Sequence, residues 1–359
     1  MKFLVVTNHS YMLWRFRREL IEALLQRGEV VISTPFVGHE QDFCEIGCRC
    51  IEAGIDRRGK NLNEEAKLFL EYRKLLKKEK PDLVITYSIK PNLYVGLLCR
   101  QLGVPFCANV QGLGTAFQSK KMAVFVSAFY RIALKNARTV FFENEGNASE
   151  FLKRRILQKD KITVLSGAGI NLESFPLKLY PSENKGIHFL YVGRIMREKG
   201  MDELFPVMIR LKKEYGERVN FDLVGFFEDD YKQTVEDLER KGIVSFFGFQ
   251  ENTEPFYASA HCIVLPSWHE GMSNVLLEAA ATGRALITSD IPGCREAVDQ
   301  DSGLLINVRD QDSLYSAMKA FLDMSQEQRE NMGLSGRRKM EEEFDKKRVV
   351  EETLSALGV

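Results

Sequence analysis

No stretch of this chain holds the roughly 20 uninterrupted apolar residues that a membrane-spanning helix needs. The nearest, residues 122–134, is too short and carries Arg131, so the chain is expected not to cross a bilayer by itself. No secretory leader is expected either, since the sequence runs from Met1 straight into the strand-like residues 2–7, without basic stretch, apolar core or small-residue cleavage site. The expected location is cytoplasmic. Of seven cysteines, Cys44, Cys48 and Cys50 form a C-x3-C-x-C run with no second ligand pair to complete a zinc site, and they read as reduced thiols. There is no low-complexity tract and no repeat of fixed period, which excludes fibrous and solenoid classes.

Net charge is also missing, with 50 Lys+Arg against 50 Asp+Glu, but the balance hides a division. Residues 1–175 hold 27 basic and 18 acidic residues, a net +9; the remainder holds 23 and 32, a net −9. The two halves are expected to face different partners, and an acidic half argues against nucleic acid wrapped by the whole protein.

What is present is a chain of 359 residues, 45% hydrophobic, long enough for two ordinary domains. Short β-rich runs alternate with helical segments: residues 2–7, 29–34, 83–87, 104–110 and 139–143, then 187–193, 219–225, 243–248, 261–266 and 285–289. Runs such as D-L-V-I-T at 82–86 and C-I-V-L at 262–265 are apolar without a polar alternate, as for parallel strands covered on both faces. The class is α/β, two doubly wound, Rossmann-like domains. Residues 171–186, with two prolines, read as the linker, which places the domains at 1–172 and 185–340. Ligands of such sheets bind outside the carboxyl ends of the strands, so functional residues are expected in the loops there, with the cleft between domains as the site.

Two loops in the second half carry chemistry. In Y-V-G-R-I-M-R-E-K-G at 191–200, Gly193 permits close backbone approach, Arg194 can fork onto phosphate oxygens and Lys199 can bring a mobile charge. In P-S-W-H-E-G-M-S-N-V-L-L-E at 266–278, Glu270 falls in the loop and Glu278 about two turns along the following helix. Between them the amides of Met272, Ser273 and Asn274 open that helix and suit a phosphate, with Gly271 counted among the donor-binding residues. A basic surface turn is the bland alternative for the first loop, and a chance Glu-x7-Glu for the second.

The run E-G-M-x-N-V-L-L-E-A-A-A-T-G-R-x-L-I-T-S-D-x-P-G-C-R-E from Glu270 closely resembles the nucleotide-sugar site of family 4 glycosyltransferases of the GT-B fold. Y-S-I-K-P-N-L-Y at 87–94, Q-G-L-G-T-A-F at 111–117 and G-A-G-I-N-L-E-S-F at 167–175 look like the branch that extends polyprenyl-diphosphate-linked sugars for surface polysaccharides and glycan precursors. The resemblance implies a retaining, metal-independent hexosyltransferase with a nucleotide-sugar, on our reading a uridine diphosphate sugar, as co-substrate and no further cofactor. It implies that Arg194 and Lys199 hold the diphosphate, that Glu270 contacts donor-sugar hydroxyls and that Glu278 binds ribose. Phe249, in F-G-F-Q at 247–250, would border the base; packing of Phe247 and Phe249 into the core is the alternative.

On the acceptor side the expected residues are Ser10, Arg15, Lys90, Gly112 and Gly114. Residues 8–11 depart from the glycine-rich loop of many family members. The G-L-G at 112–114 is not a dinucleotide fingerprint, since Phe117 stands where the third glycine belongs. His9 and His269 could enter the cleft; His39, His188 and His261 read as structural. The acidic run Glu228, Asp229, Asp230 reads as a solvated turn rather than a metal-binding D-x-D. Residues 119–138 combine an apolar aromatic body with basic ends and read either as a core helix or as a helix lying on the inner face of a membrane, with Lys74, Lys77, Lys78, Arg15, Arg17 and Arg18 adding charge toward anionic headgroups. The last segment, 341–359, is expected to be helical and to pack back on the first domain. The expected partner is thus a lipid-linked saccharide. A nucleotide-sugar epimerase of the same fold, a transferase with a soluble acceptor and a catalytically silent binding module are the competing readings.

Overall fold

The computed structural model describes residues 1–54, 62–114, 117 and 120–359; Thr115, Ala116 and Ser119 of the motifs above lie outside the described residues. The chain divides into two compact units, one of residues 1–169 with 346–359, the other of residues 170–345.

The first unit is built on β1 (Lys2–Val6), β2 (Glu29–Thr34), β3 (Arg49–Glu52), β4 (Leu83–Tyr87), β5 (Phe106–Val110), β6 (Val140–Phe142) and β7 (Ile162–Val164), in the spatial order β3-β2-β1-β4-β5-β6-β7. The second is built on β8 (Ile187–Val192), β9 (Val219–Val224), β10 (Ser245–Phe246), β11 (Cys262–Leu265), β12 (Ala285–Ser289) and β13 (Gly303–Ile306), in the order β10-β9-β8-β11-β12-β13. Every pairing is parallel; β8 sets Ile187 against Val219 of β9 and Phe189 against Cys262 of β11. Residues of β4 and β12 are buried throughout, because helices cover both faces and no alternate position reaches water. In each sheet the strand order reverses once, between β1 and β4 and between β8 and β11. Such a reversal opens a crevice at the carboxyl ends of the two strands.

Three strands escaped the sequence reading, β3, β7 and β13, each at a sheet edge. Residues 171–186 are not a free linker. Phe175 joins the core of the second unit, the Lys178 amide donates to the Thr282 carbonyl at 3.2 Å, and Arg284 donates to the Leu179 carbonyl at 2.7 Å. Arg284 is fully buried and also donates to the carbonyls of Tyr257, Gly283 and Ala258. Held by backbone carbonyls, it has its pKa lowered by burial to about 10. The end of the chain is two helices rather than one. Gln326–Glu343 packs in the second unit, and only Lys346–Leu357 lies against the helix Ser10–Leu25 of the first, where the Lys346 ammonium donates to the Phe16 carbonyl at 3.0 Å.

Candidate active site

The two motif loops follow β8 and β11, the neighbours at the reversal point of the second sheet. They touch through backbone. Gly200 has φ +79°, and a Cβ there would stand 2.2 Å from the Pro266 carbonyl oxygen; only glycine permits that approach. The Trp268 amide donates to the Glu198 carbonyl at 2.9 Å. This contact brings Lys199 onto Glu270: its ammonium donates to Oε1 of the carboxylate, with both side chains largely buried. The fully buried Ser267 hydroxyl donates to the same oxygen at 2.8 Å. Below the loop, the Tyr191 hydroxyl donates to the Arg194 carbonyl at 2.6 Å; burial, then the nearby Glu270 charge, push its pKa well above the usual phenol range, so it stays a donor.

Arg194 lies apart from that pair. Its side chain is 45% exposed and Nη1 donates to Oε2 of Glu228 at 2.9 Å. Asp229 and Asp230 of the acidic run are exposed, as in a solvated turn, whereas Glu228 is half-buried and engaged. The Arg197 amide donates to Oδ2 of Asp229 at 2.8 Å, and the amides of Glu228 and Asp229 donate to the Ile195 carbonyl. The loop after β9 is thereby laced to the loop after β8. Phe247 and Phe249 are not core residues either, being 44% and 57% exposed; Phe249 meets Phe226 edge-on at 6.1 Å between ring centroids.

After β11, Ser273 is the N-cap residue of the helix Asn274–Ala281. Gly271 and Asn274 are half-buried while Met272 and Ser273 are buried. The Ser273 amide donates to the Gly293 carbonyl at 2.9 Å, so of the three amides expected at a phosphate this one is committed to the protein. Glu278 is buried on the same helix; Oε2 accepts from the Tyr257 hydroxyl at 2.9 Å and the Thr253 hydroxyl at 3.4 Å. Sequence reasoning missed Tyr257, Thr253, Ser267 and Glu228. Ser267 sits in the quoted motif, but Tyr257 and Glu228 meet their partners only through strand order.

In the first unit the expected acceptor residues follow β1, β4 and β5, adjacent strands. Ser10 is buried and committed: its hydroxyl donates to the Gly38 carbonyl at 3.0 Å and accepts from the Val37 amide at 2.9 Å. Lys90 pairs with Oε1 of Glu65 at 2.6 Å, whose other oxygen takes the Tyr94 hydroxyl. Arg15 is half-buried on the helix Ser10–Leu25, Gly112 half-buried, and Gly114, at φ +68°, exposed. Arg17 is not a surface charge, because it is buried against Glu143 at 2.6 Å. Arg18 pairs with Glu22 at 2.7 Å and lies 4.8 Å over Trp14. His269 pairs with Glu198 at 3.1 Å. His9 caps the helix Ser10–Leu25 without a side-chain cap bond.

Residues 186–324 match the family model described as glycosyl transferases group 1, and residues 2–144 match the model described as glycosyl transferase 4-like. The chain is a family 4 glycosyltransferase. This transferase is 28% identical over 304 residues, 80% of each chain, to the N,N'-diacetylbacillosaminyl-diphospho-undecaprenol alpha-1,3-N-acetylgalactosaminyltransferase of Campylobacter jejuni. It is 29% identical over 309 residues, 79% of this chain and 77% of the other, to the UDP-Gal:alpha-D-GlcNAc-diphosphoundecaprenol alpha-1,3-galactosyltransferase of Escherichia coli. Among solved structures it resembles Anabaena HepE, crystallised with UDP and glucose, with a TM-score of 0.82 at 14% identity over 100% of this chain and 99% of that one. At that identity the likeness carries the fold, GT-B, and not the ligand.

Proposed function

We propose that this hexosyltransferase moves a hexose or N-acetylhexosamine, with retention, from a uridine diphosphate sugar to a polyprenyl-diphosphate-linked saccharide in surface polysaccharide or glycan precursor synthesis. The observation that carries the reading is the meeting of Lys199 with Glu270 at the reversal point of the second sheet, with Arg194 in the same loop but turned outward to Glu228. Departure of a nucleoside diphosphate builds negative charge that needs preorganised compensation. Lys199 and Arg194 supply it as cations. Glu270 accepts hydrogen bonds from sugar hydroxyls, Glu278 from ribose, and Phe249 borders the base. In the front-face substitution we favour, the bond from anomeric carbon to diphosphate breaks and the bond to the acceptor oxygen forms on the same face. The acceptor proton passes to the departing phosphate. Names of the relatives that act on undecaprenyl-diphosphate-linked sugars support the acceptor class.

The acceptor lipid calls for an enzyme at a membrane surface. The helix Lys120–Ala133 buries Ala123, Ser127, Tyr130 and Ala133 but leaves Met122, Phe125, Phe129 and Ile132 exposed. Those four recur at helical spacing, an apolar stripe turned to water. Exposed Lys121 and Lys135 flank it, and Lys74, Lys77 and Lys78 are exposed on the helix Leu62–Glu79. We read this as peripheral binding to an anionic inner membrane face.

The test is a donor panel on purified protein, with and without lipid extract, following nucleoside diphosphate release and lipid-linked product by mass spectrometry. Release that depends on lipid acceptor with one donor is expected. Isomerised free donor with no lipid product would overturn the reading in favour of an epimerase, and binding without turnover would leave a silent module.

A further inference from the structure

We infer that Glu228 is a built-in competitor for the leaving diphosphate, an acidic placeholder that occupies Arg194 until the nucleotide displaces it. The inference rests on the donor-site reading above. Arg194 donates from Nη1 to Oε2 of Glu228 at 2.9 Å. The two partners differ in freedom, since the Glu228 side chain is 18% exposed and that of Arg194 45%. The backbone beneath Glu228 is fixed on both sides. The Ile195 amide donates to the Phe226 carbonyl at 2.8 Å, the Glu228 amide returns a bond to the Ile195 carbonyl at 3.1 Å, and Asp229 holds the Arg197 amide. The carboxylate is the shorter and more buried member of the pair, and the longer, more exposed guanidinium arm is the one able to swing.

Both cations of the candidate site meet a carboxylate, Lys199 on Glu270 and Arg194 on Glu228, but the two acids are not equivalent. Glu270 stands in the loop after β11, between Ser267 and Lys199, where a sugar is expected. Glu228 belongs to the loop after β9 and reaches the site through Arg194. A carboxylate beside an anion site weakens that site by like-charge repulsion and by engaging its cation. A diphosphate carries more charge and more acceptor oxygens than one carboxylate, so it wins the guanidinium. Its affinity is nonetheless reduced by the bond it must replace. The device keeps the spent nucleoside diphosphate from holding the enzyme after transfer, while a nucleoside, which brings no phosphate charge to Arg194, does not compete with Glu228.

The experiment is titration calorimetry of the full chain with uridine, guanosine and adenosine diphosphates and with the three nucleosides, at low and high sodium chloride. The parent is compared with Glu228→Gln and Glu228→Asp. For the nucleotide that the parent binds, Glu228→Gln is expected to lower the diphosphate Kd about fivefold while the nucleoside Kd stays put, and the difference is expected to shrink at high salt. Glu228→Asp, which keeps the charge but draws it back, is expected to tighten the diphosphate by a smaller factor. A variant that has lost nucleoside binding has lost its site, and the other variant then decides. Unchanged or weakened diphosphate binding in a variant that still binds nucleoside overturns the inference and makes Glu228 a positioning residue for Arg194. A parent that binds no diphosphate better than its nucleoside overturns the donor-site reading instead.

Discussion

Lys199 and Arg194 stand in one loop as two similar cations, yet the fold gives them different surroundings. Lys199 is largely buried against Glu270, whereas Arg194 reaches outward to Glu228. Lys199→Ala is expected to lower turnover at least about tenfold, equivalent to about 1.4 kcal/mol in the barrier, as measured by nucleoside diphosphate release; unchanged turnover would break its assignment to the diphosphate. His261 makes a prediction of a different kind. It is buried beside His188, Tyr180, Arg329 and Arg284, and burial, then the neighbouring positive charges, lower its pKa to about 4. The unfolded chain, with an ordinary imidazole near 6.5, binds the proton first, so stability is complete above that value and is lost as pH falls toward 4. The contribution at stake is about 3 kcal/mol. His261→Asn, whose Oδ1 can take over the bond from the His188 amide to Nδ1, should flatten the dependence of the melting temperature between pH 7 and 5. A variant that melts with the parent's slope would show that His261 does not set it.

At the scale of elements, the helix Lys120–Ala133 has two apolar faces, of which the fold covers one. A double change, Phe125→Glu with Ile132→Glu, is expected to abolish sedimentation on anionic vesicles at low salt while leaving the far-ultraviolet circular dichroism unchanged; persistent sedimentation would move the membrane contact elsewhere. The helix Gln326–Glu343 tests packing instead. A Cβ on Gly333 would stand 2.1 Å from the Gly283 carbonyl oxygen, so Gly333→Ala forces that helix off the one ending at Ala281. The expected cost is about 1–3 kcal/mol, read from the denaturant midpoint of the second unit. The strands missed from sequence belong to this scale as well. β7 is half-buried throughout and β13 alternates imperfectly, because an edge strand packs against a neighbour on one side only, and a short run so placed carries little apolar signal.

At the scale of the whole molecule, the chain returns to its first unit at its end. Val349, Leu354 and Leu357 of the helix Lys346–Leu357 are buried there, and each such side chain contributes about 1.5–3 kcal/mol. A chain stopped after Asp345 should therefore lose about 5 kcal/mol or more from the first unit, seen in calorimetry as a lowered transition for that unit with the second one unmoved. Two transitions that both stay in place would separate the helix from that core.

The sequence by itself determined the two α/β units, their parallel strands and the loops that carry Arg194, Lys199, Glu270 and Glu278. Those features depend on local periodicity and on residues close together in the chain, where apolar runs and glycine turns leave a direct mark. Only the tertiary structure decided which charges stand open and which are already matched. Arg17 on Glu143, Arg194 on Glu228, and Glu278 under Tyr257 are pairs far apart in sequence. No local pattern encodes such pairs, because the partner of a side chain is set by strand order and by the burial that makes an unmatched polar group costly.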